Sequence, residues 1–464
     1  LDAYSGGDTL PLSFDYSQIR AAGEPIKGFG GIAPGPDPLI KLIERTTNVC
    51  AEYAILDRQV DVELIVDLMN FAGAAVVAGG IRRTAEIAFG QPDDEVFLDL
   101  KNDKALKDKT LARWASNNSV IGHSGMDYQG ISDRACQNGE PGIFWKENAR
   151  AYGRMCDGKT HDDHRVKGCN PCGEQSLESF ELCNLVETFP SRHDSLEEYQ
   201  RTLKYAYMYA KTVTLIATHD PRTNAVMFRN RRIGLSQSGI VEQVNKVGFR
   251  EHIRWCDEGY ATIKNWDIVY SDWLCIPRSR KVTTVKPSGT VSLLCGVTPG
   301  IHFPHSEYYI RRVRLNVNSE LVAIVKEAGY PVDKDVKADN TLVAAFPVHE
   351  PHFDRGKDKI SIWEQFELAA AMQAKWSDNQ VSITITVRPE DEADLPHALS
   401  MYESRLKAVS FLPVRGDKHY EQAPYEQITK HQYEKLVANI KKFRYDVKED
   451  RAIERFCDGD NCVI

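Results

Sequence analysis

Apolar residues recur at helical spacing between Asp61 and Ala78, where Leu64, Ile65, Leu68, Met69, Ala72 and Val76 fall on one stripe, so the pattern predicts a helix there. Short apolar runs at Ala85–Phe89 and Val96–Leu100 read as strands, and Asn138-Gly139-Glu140-Pro141-Gly142 reads as a turn before the apolar Ile143-Phe144-Trp145. Helical periodicity returns over Leu196–Ala217 and Val241–Trp266. Val282–Val285 and Val291–Leu294 then read as two short strands flanking Lys286-Pro287-Ser288-Gly289-Thr290. Glu364–Lys375 reads as a helix, Val381–Val387 as a strand with strict alternation, and Tyr425–Lys442 as the last helix. Helices alternating with short strands predict an α/β layout with a largely parallel sheet or barrel. The first 40 residues are rich in Gly and Pro, as in Gly28–Pro36, and read as a loop or linker. From about Asp446 the tail is charged and poor in apolar residues, so mobility is expected there.

Composition narrows the classes. The 464 residues are 42% hydrophobic and 27% charged, an ordinary globular profile. A net charge of -8 argues against a nucleic-acid partner, which needs a basic face, but leaves room for a small phosphorylated ligand. No apolar run is long enough for a membrane span. The start, Leu1-Asp2-Ala3-Tyr4, has no initiator methionine and no signal-peptide build, and reads as beginning in mid-protein. Eleven irregularly spaced cysteines without a secretion signal fit a reducing cytoplasm better than a disulfide scaffold.

The cysteines carry the candidate chemistry. In Asn170-Pro171-Cys172-Gly173-Glu174 a thiol stands between an amide and a carboxylate. In an extended loop, positions i-2, i and i+2 share a side, which would bring the three groups to one substrate. The carboxylate can take a proton from a hydroxyl, and the amide can hold a second one. A metal reading uses the same residues: Cys169 and Cys172 form a CxxC, and with Cys156 and Cys183 they could bind zinc. For Cys50, Cys136, Cys256, Cys275 and Cys295 the default is an inert buried thiol. Pro287-Ser288-Gly289-Thr290 offers amides and hydroxyls to a phosphate, or is an ordinary loop. Ser116, Asn117 and Asn118 are further substrate contacts or a polar turn, and Arg82 and Arg83 serve a phosphate or the solvated surface.

Asn-x-Cys-x-Glu, followed eleven residues after its cysteine by Cys183 in Leu182-Cys183-Asn184-Leu185, resembles the finger loop of ribonucleotide reductases. In order along the chain, Gly28-Phe29-Gly30-Gly31, Gly79–Arg83, Trp114–Ser119, Asn138–Gly142, Lys286–Ser292, Asp378–Ser382 and the terminal Cys457-x4-Cys462 are similar to the monomeric, adenosylcobalamin-dependent (class II) ribonucleoside-triphosphate reductases. The resemblance implies a ten-stranded α/β barrel with Cys172 carried to its centre on the finger loop. It implies that Cys172 becomes a thiyl radical abstracting the ribose 3'-hydrogen, that Glu174 acts as base on the 3'-hydroxyl, and that Asn170 binds the sugar hydroxyls. Cys183 would form a disulfide with a partner thiol, and Cys457 and Cys462 would re-reduce it before being recharged by thioredoxin or a similar dithiol. Pro287, Ser288, Gly289, Thr290 and Ser292, with Ser116 and Asn117, would bind the ribonucleoside triphosphate, and a deoxynucleotide would act as effector.

Adenosylcobalamin would generate the radical. Tyr308-Tyr309 follows the phosphate loop too closely for a tyrosyl relay, and His164 of Asp162-Asp163-His164 is expected at the surface. The family carries the partner of Cys183 upstream, whereas the first cysteine here is Cys50. The expected division is therefore an upstream remnant with a Gly/Pro-rich loop over 1–48, an N-terminally incomplete barrel over 49–445 and a redox tail over 446–464. The alternatives are a zinc-stabilised nucleotide-binding protein and the large subunit of a diiron-dependent reductase.

Overall fold

A computed structural model describes residues 13–24, 33–78, 84–102, 111–317, 319–336, 341–414 and 422–442, with the short pieces 457–458 and 461–462. The chain divides into two compact units, one of residues 1–85, 110–115 and 444–464, the other of 86–109 and 116–443.

In the first unit, helices Asp37–Ile55 and Val62–Val77 pack together. The first was not anticipated, although Leu39, Ile40 and Ile43 stand at helical spacing after Pro36; Cys50 lies within it. The second matches the predicted helix, and Asp61 caps it by accepting the Leu64 amide at 3.0 Å. Arg113 is buried against this helix, bidentate on Asp67 at 2.6 and 2.7 Å and bonded to Glu63 at 2.9 Å. The Gly28–Gly31 and Gly79–Arg83 motifs, with Arg82 and Arg83, lie outside the described residues.

The second unit is built on a run of mostly parallel strands. β1 (Glu86–Gly90), β2 (Ser116–Ile121) and β3 (Gly142–Phe144) pair in parallel. β4 (Gly168–Cys169) and β5 (Ser176–Leu177) form a small hairpin, and β6 (Leu185–Thr188) pairs in parallel with β7 (Gly234–Gln237). β8 (Tyr308–Asn316), β9 (Val332–Lys334), β10 (Thr341–His349) and β13 (Tyr425–Gln427) make a separate antiparallel sheet. β11 (Thr384–Val387) runs parallel to β12 (Ala408–Pro413), which joins β3 antiparallel. Single bridges Val285↔Val381 and Leu235↔Thr283 continue the series from β11 to β7. Among the described residues, eight segments thus follow one another from β1 to β6, and the α/β class holds. Ten strands and their closure into a barrel are not seen; β1 and β6 end the series.

Four expectations change. Val96–Leu100 is the helix Glu95–Asp99, because Asp94 caps the Phe97 amide and turns both Phe97 and Leu98 inward. Val291–Leu294 belongs to the one-turn helix Val291–Cys295, a run too short for periodicity to decide. Val241–Trp266 is two helices, Ile240–Val247 and Phe249–Leu274, broken at Gly248 with φ +88°. Tyr425–Lys442 splits into β13 and the helix Lys430–Val437, whose start is a Thr429/Gln432 capping box present in the sequence. The predicted helices at Leu196 and Glu364 are found as Leu196–Val213 and Ile362–Lys375.

The core beneath the sheet is aromatic, with Phe144, Trp145, Tyr199, Tyr207, Phe366 and Trp376 fully buried. Ion pairs are buried with it. Arg232 is bidentate on Asp163 at 2.8 Å and bonded to Glu181 at 2.9 Å, so both carboxylates flanking the hairpin are neutralised from β7's leading edge. His164, next to Asp163, is exposed as expected. Arg232→Ala would leave buried Glu181 without its cation and Asp163 with Lys281 alone at 2.9 Å, at a cost of roughly 3–5 kcal/mol. A clear fall in the midpoint of thermal or urea unfolding is the expected result.

Candidate active site

The hairpin β4/β5 is the finger. Its loop is a tight turn and not an extended strand: the Gly173 amide donates to the Asn170 carbonyl at 2.8 Å, and Gly173 takes φ +77°. The Asn170 side-chain oxygen accepts the Gln175 amide at 2.8 Å. This turn replaces the extended backbone on which the i-2, i, i+2 argument relied, although the charge of Glu174 still reaches the Cys172 thiol. Cys172 is exposed at the tip, while Asn170 and Glu174 are buried at the base. Asn170 therefore spends one amide oxygen closing the loop and keeps Nδ2.

Three elements hold the finger in place. Asn117 of β2 donates to the Pro171 carbonyl at 2.9 Å, and Ser382 donates to the Cys172 carbonyl at 2.6 Å. The Glu174 carbonyl accepts from the Gln380 amide at 3.1 Å and the Thr284 hydroxyl at 2.5 Å. The Asp378–Ser382 motif is thereby explained as a joint. Asp378 accepts the Val282 and Thr283 amides, Asn379 donates to the Ile233 and Thr283 carbonyls, and Gln380 accepts from Ser176 on β5.

Cys172 lines a cavity of about 350 Å³ together with Asn117, Asn118, Glu140, Pro287, Ser382 and Ser410. Asn118 is buried, and its Nδ2 has no partner. Ser116 does not line the cavity; it lies buried on β2 with its hydroxyl on the Asn118 oxygen. The Ser116–Asn118 segment is strand and not a polar turn.

Behind the tip, Glu174 is fully buried, with Oε1 2.9 Å from Lys286 Nζ and Oε2 without a partner. Lys286 was quoted in the sequence only as a neighbour of the phosphate loop; its pairing across 112 residues left no local signal. Burial and the Glu174 charge push the Cys172 thiol up, against a smaller opposite pull from Lys286. The Cys183 thiol is pushed up to about 12 by burial and then by Glu174, although the residue keeps contact with solvent. Both groups are therefore thiols, not thiolates, at neutral pH.

The Pro287–Ser292 loop adjoins the finger through Lys286. Ser288 is buried and donates to Glu187 at 2.6 Å; Gly289 and Thr290 are exposed, and Ser292 is buried with its hydroxyl unpartnered. Pro287 and Gly289 also line a second, mainly apolar cavity of about 280 Å³ with Ile301, His302, Tyr309 and Tyr425. Pro287 and Thr384 border both cavities. Tyr308 and Tyr309 are ordinary β8 residues, stacked on His349 and bonded to Glu350 respectively. Among the described residues no three His, Cys, Asp or Glu side chains converge as metal ligands, which removes the geometry needed by a zinc site of Cys156, Cys169, Cys172 and Cys183. Cys457 and Cys462 pair as β14 (Cys457–Asp458) and β15 (Asn461–Cys462), and the rest of the tail beyond Lys442 lies outside the described residues.

Residues 5–50 match the family model "B12-dependent ribonucleotide reductase, insertion domain". The chain is 45% identical, over its whole length, to a probable adenosylcobalamin-dependent ribonucleoside-triphosphate reductase of Dictyostelium discoideum, covering 62% of that protein. It is also 45% identical, over 98% of its length, to the adenosylcobalamin-dependent ribonucleoside-triphosphate reductase of Euglena gracilis, covering 63% of it. The chain belongs to the B12-dependent (class II) ribonucleotide reductase family. A crystal structure of a B12-dependent class II reductase superposes with a TM-score of 0.80 at 35% identity, covering 91% of this chain and 62% of the other. The alpha subunit of an Actinobacillus ureae class Id reductase shares only the fold, with a TM-score of 0.51 at 16% identity, covering 75% of this chain and 74% of the other. The chain spans a little under two thirds of the length of the two curated relatives.

Two measurements follow. Iodoacetamide labelling of Cys172 should be slow at pH 7–8 and still rising above the free-thiol value of about 8.5, and Ser382→Ala with Asn117→Ala should speed it by loosening the tip. Burial raises the Glu187 carboxyl to about 7, against hydrogen bonds from Ser288, Ser238 and Ser236. Its folded value exceeds its unfolded value, so its contribution is present below roughly pH 4.5 and is lost as pH rises through about 7. Glu187→Gln should flatten that part of the thermal-midpoint curve; an unchanged slope would contradict the assignment.

Proposed function

We propose that this chain forms most of the catalytic part of an enzyme that reduces ribonucleoside triphosphates to 2'-deoxyribonucleoside triphosphates. The observation that carries the reading is a neutral thiol, Cys172, on a braced hairpin tip at a nucleotide-sized cavity, with a buried carboxylate behind it. Overall, a ribose 2'-hydroxyl leaves as water while two cysteine thiols become a disulfide.

In this reading Cys172, as a thiyl radical, takes the 3'-hydrogen; it must carry S–H at rest, which its raised proton affinity favours. Glu174 accepts the 3'-hydroxyl proton, and Asn170 offers Nδ2 to a sugar oxygen. Asn117, Asn118 and the exposed backbone at Gly289 and Thr290 hold the nucleotide, with Pro287, Ser288 and Ser292 shaping the loop. Ser116 acts through Asn118. Cys183 supplies reducing electrons with a partner thiol. Cys457 and Cys462 restore it by exchange and are recharged by thioredoxin or a similar dithiol.

Adenosylcobalamin, when bound, supplies the one-electron chemistry through homolysis of its cobalt–carbon bond. The second cavity fits its nucleoside part: about 280 Å³, apolar walls, aromatic Tyr309 and Tyr425, and a border at Pro287 and Thr384 shared with the thiol cavity. A deoxynucleotide effector and a cytoplasmic location complete the proposal. Among the described residues no helix is long and apolar enough to cross a membrane.

We keep the functional division 1–48, 49–445 and 446–464, with the barrel incomplete. The open ends of the series at β1 and β6 leave room for further strands from the remaining length of the relatives. The test supplies full-length protein with adenosylcobalamin, a ribonucleoside triphosphate and a dithiol. Cys172→Ala should abolish deoxynucleotide formation. Cys457→Ala should spare turnover with a small dithiol but impair it with thioredoxin. Full turnover by Cys172→Ala would sink the reading.

A further inference from the structure

This inference rests on the reductase reading. Glu174 is fully buried, and its carboxylate has one ion pair among the described residues: Lys286 Nζ at 2.9 Å on Oε1. Oε2 is buried and unpartnered. A buried carboxylate oxygen without a donor is costly, and such atoms persist where a reaction uses them. Lys286 is itself fixed from the backbone: its amide donates to Ser236 at 2.8 Å, and Pro287, which follows it, borders both cavities. Its charge also acts on Cys172, Cys183 and Glu187. Burial works against that charge, but Glu174's opposite charge and hydrogen bond outweigh it and bind the Lys286 proton more firmly than usual.

We propose that Lys286 is the positioning residue of the catalytic base: its ion pair holds Oε1 of Glu174 and so reserves Oε2 for the proton of the substrate 3'-hydroxyl. In that step the sugar O–H bond breaks and its electron pair stays on the sugar oxygen. A new O–H bond forms at Oε2, and Lys286 keeps all its protons. No oxidant or reductant takes part. Lysine suits this task because an ammonium is a point charge that satisfies one oxygen, whereas the planar fork of arginine pairs with both oxygens of a carboxylate. The loop that follows Lys286 is the one proposed to hold phosphates, so the cation links nucleotide entry to the base.

The test compares Lys286→Met and Lys286→Arg with unaltered full-length protein, with thermal midpoints measured to confirm folding. Losing the cation favours the protonated carboxyl. For Lys286→Met, the acid limb of the kcat/KM profile should move up by about one pH unit or more, and the lost hold on Oε1 should lower kcat roughly tenfold at neutral pH. Lys286→Arg should leave the acid limb in place yet lower kcat, because both oxygens are engaged. An infrared pH titration gives a readout without turnover. The carbonyl band of a protonated carboxyl should persist to higher pH in Lys286→Met and vanish in Lys286→Met/Glu174→Gln. An unmoved acid limb together with an unmoved band in folded Lys286→Met would overturn the proposal. Absence of deoxynucleotide from unaltered protein would instead count against the reductase reading, and the infrared titration would still decide whether Lys286 acts on the Glu174 carboxyl.

Discussion

A carboxylate buried beneath a thiol is the constraint on which the site depends. Glu174 has no exposed surface, and a charge so placed needs an opposite charge and a rigid frame. Lys286 provides the charge. The frame is the strand-end joint in which Thr284 and Gln380 bind the Glu174 carbonyl while Asp378 and Asn379 stitch the neighbouring segments together. Residues from 117 to 382 thus meet within one loop's reach. The finger is held by hydrogen bonds of its main chain to three separate strand ends, so the Cys172 side chain, Asn170 Nδ2 and Glu174 Oε2 are not used to position it.

The electrostatics suit the proposed reaction. Hydrogen-atom transfer needs S–H and not a thiolate, and both burial and the Glu174 charge favour the protonated form of Cys172 and of Cys183. Lys286 acts in the opposite sense on those thiols, yet its nearest partner is the carboxylate, so its field is largely spent there. The two cavities, one polar at the thiol and one mainly apolar beyond Pro287 and Thr384, divide the tasks of sugar chemistry and cofactor contact within the proposed function.

Much of the site was legible in local order. Asn170, Cys172 and Glu174 stand within five residues, and a Pro before and a Gly after the cysteine mark a turn, so the finger could be recognised without coordinates. The extended backbone assumed for Asn170, Cys172 and Glu174 is not found, because Gly173 has positive φ and closes a turn. Ser116 does not reach the cavity: it shares a strand face with Asn118, and its hydroxyl donates to the Asn118 oxygen. Lys286, Thr284 and Gln380 went unassigned: each acts on the finger from more than 100 residues away. Short apolar runs misled in the same way. Val96–Leu100 and Val291–Leu294 are each too brief for helix and strand periods to differ, and caps and tertiary burial chose the helix.

By itself the sequence determined the α/β class, the long amphipathic helices and the turn that carries the candidate groups, because periodicity and turn residues are encoded within a few positions. Only the tertiary structure decided which groups are buried, which oxygen of Glu174 is left free, and which lysine holds the other one. Those outcomes depend on desolvation and on contacts between distant segments, and no window along the chain contains both partners of such a pair.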